Sequence, residues 1–395
     1  MFNLRAISKG MIGESEILIH NTTYDCSKAV HYHLGQFPPA NLDLERLIGP
    51  LTETTMSLTR YDTLLQTLPN SELLLAPLRA RDAVVSSRME GTISTLEDVL
   101  RLEADGDENT LPSAARNDTL EVALYARALR QAEQQIADGY PISDHLIRTA
   151  HRTLLSFGRG AKNNPGHYKV DQNYIGDRRT RRIDFIPIAP EQLGPGMAGL
   201  LDFIHHDKTL PILKTAIAHA EFEALHPFDD GNGRLGRMLI TLMLWDSGVL
   251  QAPHFFVSDY FERNKDEYID RLRAVSAECD WSGWCAFFLE ALTAQANSNI
   301  DIVGQIQTHY NEMRDRFRDI LRSRWSTDAL NYIFANPIFR NNRFKRNAGI
   351  PPQTANNFTN RLVDAGVLKI LIPPAGRAPG LYSFPSLLEI VEEPR

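Results

Sequence analysis

The stretch HPFDDGNGRLGR, His226 to Arg237, crowds a histidine, two adjacent acids, three glycines around an asparagine and two arginines into twelve residues. Helical periodicity flanks it on both sides. In PILKTAIAHAEFEAL before it, Leu213, Ile217, Ala220 and Ala224 share one helical face. In RLGRMLITLMLW after it, Leu235, Met238, Leu239 and Leu242 share another. Two core helices joined by a tight polar loop are expected, the second starting at about Arg234.

The loop has the makings of an anion site with a proton acceptor beside it. Gly231 and Gly233 can take left-handed backbone and turn N–H groups outward, and the open N–H groups and dipole of the second helix add positive potential. Arg234 and Arg237, three apart, project from one side of that helix, where guanidinium groups grip phosphate oxygens. Asp230 supplies a hard carboxylate of the kind that Mg2+ takes together with substrate phosphates. His226, ending the first helix before Pro227, can take a proton from an attacking hydroxyl. Together these parts describe transfer of a phosphate-containing group. Singly, a histidine or a Gly-x-Gly is more often structural; Phe228 reads as a loop anchor and Pro227 as a helix stop.

The 395 residues suit two or three domains, and 43% hydrophobic with 23% charged residues is the composition of a globular chain. A net charge of −7 argues against an indiscriminate nucleic-acid coat. Cys26, Cys279 and Cys285 lack disulfide or zinc spacing. No signal-peptide-like run and no apolar stretch of ~18 residues occurs, so a cytoplasmic chain without a membrane partner is expected. Residues 1 to about 50 are turn-rich and read as loop with at most one hairpin. Helices follow from about Asp43 to Leu129, one of them opened by a capping box of Ser94 and Glu97. A hairpin is expected between Asn164 and Pro187, then helices from about Ala189 onward. Roughly the last 70 residues run helix, helix, recognition-like helix and two-stranded wing.

The twelve residues match, at every fixed position, the defining motif of the Fic family, His-Pro-Phe-x-(Asp/Asn)-Gly-Asn-Gly-Arg-x-x-Arg. Upstream, AVVSSRMEGT resembles (Ser/Thr)-x-x-x-Glu-(Gly/Asn), the inhibitory-helix motif of members that carry it N-terminal to the core. The resemblance implies a mainly α fold. Residues 1–115 would form an N-terminal helical extension with the inhibitory helix, 116–300 a Fic-type helical core with a β-hairpin flap, and 301–395 a linker helix and a winged helix-turn-helix. It also implies a protein adenylyltransferase that moves AMP from ATP to a Ser, Thr or Tyr hydroxyl of a protein, itself included, and releases pyrophosphate.

By matching position, His226 would be the general base, Asp230 the Mg2+ ligand, and Gly231, Asn232 and Gly233, with Leu235 and Gly236, the nucleotide-binding loop. Arg234 would hold the β-phosphate and Arg237 the γ-phosphate. Asn264 and Tyr268, in SDYFERNKDEYIDRL, are candidates for adenosine and ribose contacts; many members have Tyr-Tyr where this chain has Tyr268-Ile269, and a core tyrosine is the competing reading of Tyr268.

APLRARDAVVSSRMEG reads as a helix ended by Gly91. Glu90, in its last turn, meets the unfavourable end of the helix dipole, at ~0.3–1 kcal/mol, and calls for a compensating cation. The resemblance supplies Arg237, making Glu90 a brake that keeps the γ-phosphate from its productive place. Ser87 would face the same cleft and Ser86 fills the motif's Ser/Thr position. The competing reading for both is a helix hydroxyl bonded to a carbonyl one turn back, favoured for Ser86.

The hairpin around GDRRTRR resembles the flap that holds a target segment by β-augmentation. Arg178, Arg179, Arg181 and Arg182 at its tip read as a solvated turn. Near the C-terminus Arg340, Arg343, Lys345 and Arg346, with Gln353, Thr354 and Asn357, suit DNA, whereas many winged helices serve protein contact or dimerisation; DNA and a homodimer both stay open as partners. Alternative functions are transfer of phosphate or UMP, removal of AMP, and a DNA-binding regulator whose core senses ATP.

Overall fold

A computed structural model describes residues 2–5, 11–13, 15–19, 22–68, 70–105, 113–376 and 378–392. The chain divides into two compact units that interleave along the sequence. One comprises Met1–Thr59, Ser86–Thr92 and Leu124–Gln295, the other Arg60–Val85, Ile93–Ala123 and Ala296–Arg395. The first 59 residues and Ser86–Thr92 share a unit with the motif.

The strands and helices run in the order β1 (Phe2–Arg5), β2 (Met11–Gly13), β3 (Glu16–Ile19), β4 (Thr22–Asp25), β5 (Val30–His31), α1 (Leu44–Thr67), α2 (Ser71–Met89), α3 (Leu96–Asp105), α4 (Ser113–Ala137) and α5 (Asp144–Leu154). The hairpin β6 (Asn173–Asp177) and β7 (Arg182–Ile186) precedes α6 (Pro190–His206), α7 (Pro211–Leu225), α8 (Asn232–Asp246), α9 (Ser258–Arg263), α10 (Lys265–Glu278) and α11 (Trp281–Leu321). The C-terminal segment carries α12 (Ser326–Ala335), β8 (Ile338–Arg340), α13 (Asn341–Asn347), α14 (Pro352–Asp364), β9 (Lys369–Ile372), β10 (Leu381–Ser383) and α15 (Pro385–Glu392). The fold is mainly α. Among the described residues no helix is long and apolar enough to cross a membrane.

In the first unit α7 is the central helix. Ile212, Leu213, Ala216, Ile217, Ala218, Ala220, Phe222 and Leu225 are all buried, so apolar residues line its whole circumference and not only the expected face. Trp284 of α11 donates its indole N–H to the Ala216 carbonyl at 2.7 Å, and α6 and α8 pack on either side. The hairpin forms as expected, with Ile175 opposite Phe185 and a register shift before Gly176. At Gly176 a Cβ would overlap the Arg182 carbonyl oxygen, so the shift requires glycine. Ile175 and Phe185 pack against Ala224 of α7, which seats the hairpin on the motif helices. The tip arginines are exposed, as a solvated turn should be.

The first 50 residues differ from expectation. They contribute five short strands that extend the hairpin into a seven-stranded sheet of order β1-β6-β7-β4-β3-β2, with β5 also paired to β7. Strands of two to four residues carry too little alternation to be read alone and exist here by pairing with β6 and β7. Ile17, Ile19, Tyr24 and Cys26 then pack around Ile183.

In the second unit the capping box at α3 sits one residue later than read. Thr95 Oγ1 accepts from Asp98 N–H and Asp98 Oδ2 accepts from Thr95 N–H, both at 3.1 Å, while Ser94 pairs with Thr119. The C-terminal segment builds a three-stranded sheet of order β8-β10-β9 over buried Phe334, Phe339, Phe344 and Phe384. Arg340 binds the Asp105 carboxylate and Arg343 donates to the Glu103 carbonyl, so these two basic residues are engaged on α3.

Candidate active site

His226 closes α7 in the left-handed region, at φ 46° and ψ 61°, with its N–H on the Phe222 carbonyl. Such a conformation costs a non-glycine residue about 1–3 kcal/mol and persists only where neighbours enforce it. The neighbours are visible. Asn173, at the start of β6, donates its amide to the carbonyls of His226 and Phe228 at 3.0 and 3.1 Å. Lys169 donates its ammonium to Asn173 Oδ1 and the Leu225 carbonyl, and its backbone N–H to Pro227. The carbonyls of 225, 226, 227 and 228 are thus all held by Lys169 and Asn173.

Within the loop, Asn232 accepts from Phe228 N–H at 2.9 Å and donates to the Phe228 carbonyl at 2.8 Å. Phe228 lies flat on His151, ring centroids 3.7 Å apart. His151 Nδ1 accepts from Gly166 N–H, so Nε2 carries the proton and donates to the Asp230 carbonyl. Burial holds that imidazole neutral, its pKa pushed down to about 4. His226 is lowered further, to about 3, by burial first and by the Lys169 charge next. Its Nδ1 faces the Glu223 carbonyl at 3.3 Å, which leaves Nε2 as a neutral acceptor at pH 7.

Gly231, at φ 79°, caps α8, which begins at Asn232, two residues before the expected start. No side chain caps this end, so the first-turn N–H groups face outward without an intrahelical partner. Gly233 is helical and not left-handed; it is glycine for another reason. A Cβ there would overlap Glu90 Oε1. The Glu90 carboxylate therefore lies against the first turn of α8.

α2 ends at Met89, one residue before Glu90, with Gly91 left-handed beyond it as expected. Lys265 donates to the Met89 carbonyl at 2.5 Å, a cation at the negative end of the helix. Arg237 donates to Glu90 Oε1 at 3.0 Å, to Ser86 Oγ at 2.9 Å and to the Ser86 carbonyl at 2.7 Å. Burial opposes ionisation of Glu90, but the Arg237 and Arg234 charges overcome it and hold the carboxyl below the ordinary range. Ser86 is thus an Arg237 acceptor, against the helix-hydroxyl reading. Ser87 is fully buried and its hydroxyl has no hydrogen-bond partner.

Several candidates have side chains or backbone groups engaged within the chain. The Leu235 side chain is buried and its N–H is spent on Gly231. Gly236 gives its carbonyl to His219, and a Cβ there would overlap Glu223; it is a packing glycine. The Asn232 side chain is committed inside the loop, leaving only its backbone. Tyr268 is a core tyrosine whose hydroxyl sits 2.8 Å from His219 Nε2. Asn264 joins α9 to α10 and donates its amide to Tyr260. Sequence reasoning missed Lys169, Asn173, His151 and Glu223. Glu223 is half-buried, with Oε1 buried and unpartnered, and desolvation pushes its carboxyl up to about 8, so it is neutral at pH 7.

Asp230 Oδ1 accepts from Gly231 N–H at 2.6 Å and from Arg234 at 3.4 Å, and the side chain is 36% exposed. Among the described residues no cluster of three or more His, Cys, Asp or Glu could hold a metal alone. A lone accessible carboxylate beside an anion site fits Mg2+, which completes its shell with substrate phosphates and water.

Residues 48–134 match the profile described as Fic/DOC family N-terminal, and 141–244 that of the Fic/DOC family. A protein adenylyltransferase of Caenorhabditis briggsae is 34% identical over 112 residues, 28% of this chain and 20% of that one. A Fido domain-containing protein of Dictyostelium discoideum is 31% identical over 113 residues, 27% of this chain and 69% of that one. The chain spans less than half the length of the adenylyltransferases it matches first. A crystal structure of a Fic family protein from Desulfovibrio desulfuricans superposes with a TM-score of 0.57 at 21% identity, covering 88% of this chain and 98% of that one. It shares the fold. With both family profiles in succession and HPFDDGNGRLGR folded around the start of α8, this chain belongs to the Fic family.

Proposed function

We propose that the chain is a protein adenylyltransferase, transferring AMP from ATP to a Ser, Thr or Tyr hydroxyl of a protein, and that Glu90 restrains it. The observation that carries this reading is the neutral, acceptor-ready His226 held in one rigid loop with an uncapped helix start and two arginines. A hydroxyl oxygen attacks the α-phosphorus while His226 Nε2 takes its proton; the bond to the bridging oxygen breaks and pyrophosphate leaves. The N–H groups of Asn232 and Gly233, with Arg234 and Arg237, hold the phosphates, while Gly231 turns the chain and gives its N–H to Asp230. Asp230 would hold Mg2+, which offsets phosphate charge when bound.

Glu90 occupies the anion's place, since its carboxylate takes both Arg237 and the space over Gly233. Nucleotide and glutamate compete for one cation and one helix end. The test is intact-mass measurement of wild type, Glu90→Gly and Glu90→Gly/His226→Ala with ATP and a cell lysate. The reading expects AMP-sized additions from the first variant only; additions that persist without His226 overturn it. We read α12 to β10 as a winged helix. With Arg340 and Arg343 engaged, Lys345 and Arg346 remain of its basic set, and β9 exposes Ile370 and Ile372, which favours protein contact over DNA.

A further inference from the structure

The outer edge of β7 is closed by the chain itself. Asp25 of β4 pairs with Arg182, and Val30 and His31 of β5 pair with Phe185 and Ile186, all parallel. The segment between is fixed by packing of Tyr24 and Cys26 on Ile183, and Tyr32 donates to Glu221 of α7 at 2.7 Å. No extended partner can add to this side of the hairpin. The other edge belongs to β6, and β1 lies on it antiparallel, with Phe2 opposite Gly176, Asn3 opposite Ile175, Leu4 opposite Tyr174 and Arg5 opposite Asn173. Asn173 is the residue whose amide holds the His226 and Phe228 carbonyls. A strand in this place therefore ends beside the catalytic turn.

We infer that β1 is an internal occupant of the outer edge of β6, the flap edge on which the family resemblance places an extended target segment, and that β1 must leave before a substrate segment can pair there. This rests on the transferase reading. It adds a second restraint, separate from Glu90: the glutamate takes the nucleotide's place, and β1 takes the protein's. Main-chain pairing supplies affinity with little sequence preference, so the strand excludes substrates generally. If β1 vacates the edge in about one molecule in ten, its removal raises substrate modification about tenfold.

The experiment uses the full chain with Glu90→Gly and Cys279→Ser, the latter because Cys279 is exposed while Cys26 and Cys285 are buried. Three forms are compared: this parent, a deletion of Phe2–Arg5, and Asn3→Cys/Ile175→Cys, which ties the paired residues under oxidation. Deletion should speed amide exchange at Asn173–Asp177 and raise labelling of lysate proteins from labelled ATP. The tied form should label least and recover on reduction. Nucleotide uptake by calorimetry should be equal in all three. Unchanged exchange after deletion overturns the seating of β1, and equal labelling in the deleted and tied forms overturns the docking edge. Uptake without labelling in any form overturns the transferase reading and the docking role with it, while exchange still reports whether β1 holds the edge.

Discussion

Glu90 and Gly233 share one volume: the carboxylate oxygen of the first stands where a Cβ of the second would be. Gly233→Ala is therefore expected to expel Glu90 from the start of α8 and leave Arg237 without its carboxylate. An unsatisfied buried charge-assisted bond costs on the order of 1–3 kcal/mol, so the melting temperature falls. In the Glu90→Gly background the same methyl crowds the phosphates, and nucleotide uptake in calorimetry should drop sharply. Undiminished uptake would place the phosphates elsewhere.

Ser86 gives Arg237 two acceptors, its hydroxyl and its carbonyl. Ser86→Ala removes the hydroxyl and loosens the guanidinium that grips Glu90. One hydrogen bond to a charged group is worth about 1.5–3 kcal/mol, yet the carbonyl and Glu90 remain. Labelling should rise less than in Glu90→Gly, in a titration against ATP. A Ser86→Ala rate equal to wild type would show that Arg237 is set by Glu90 alone.

Lys169 and Asn173 touch no part of the expected nucleotide but fasten four consecutive carbonyls around His226. They are positioning residues. Lys169→Met or Asn173→Ala in the Glu90→Gly background should lower kcat about 10–100-fold, the scale of a misplaced reacting group. The KM for ATP should barely move. A change confined to KM would assign them to nucleotide binding instead.

The buried titratable groups set opposing slopes of stability with pH. Glu223 keeps its proton up to about 8 in the folded chain but loses it near 4.5 when unfolded, so stability declines as pH rises through that window, by about 1.4 kcal/mol per pH unit at most. His151, His219 and His226, lowered to about 4, 3 and 3 chiefly by burial, bind fewer protons folded than unfolded below pH 6.5. Stability is lost on that side as pH falls. Lys169, lowered to about 7 by burial, binds fewer protons folded than unfolded above pH 7 and offsets the Glu223 decline there. Denaturant midpoints should therefore rise to about pH 6.5 and change little from there to pH 8, whereas Glu223→Gln should keep gaining stability across that window. A variant that stays level between pH 6.5 and 8 would assign the Glu223 slope to another group.

The motif, its two helices, the stop at Gly91 and the hairpin were legible because each is a local pattern. HPFDDGNGRLGR specifies a left-handed cap, an uncapped helix start and two cations within four turns of chain. The N-terminal strands were not legible, since β5 has two residues and acquires its partner from β7, some 150 positions away in sequence. The α3 cap slipped by one because Thr95 with Asp98 satisfies the same geometry as Ser94 with Glu97. Lys169 and Asn173 gave no warning, lysine being rarely buried. Gly233 and Gly236 were read as ligand glycines, although what demands them is the close approach of Glu90 and Glu223.

The stacking of Phe228 on His151 bears on the speed of ligand capture. A loop that already has its final shape gives up little further freedom when an anion arrives, so encounter need not await rearrangement. Phe228 would then govern the rate at which nucleotide associates while never meeting it. Smaller side chains there should slow capture more than they weaken it.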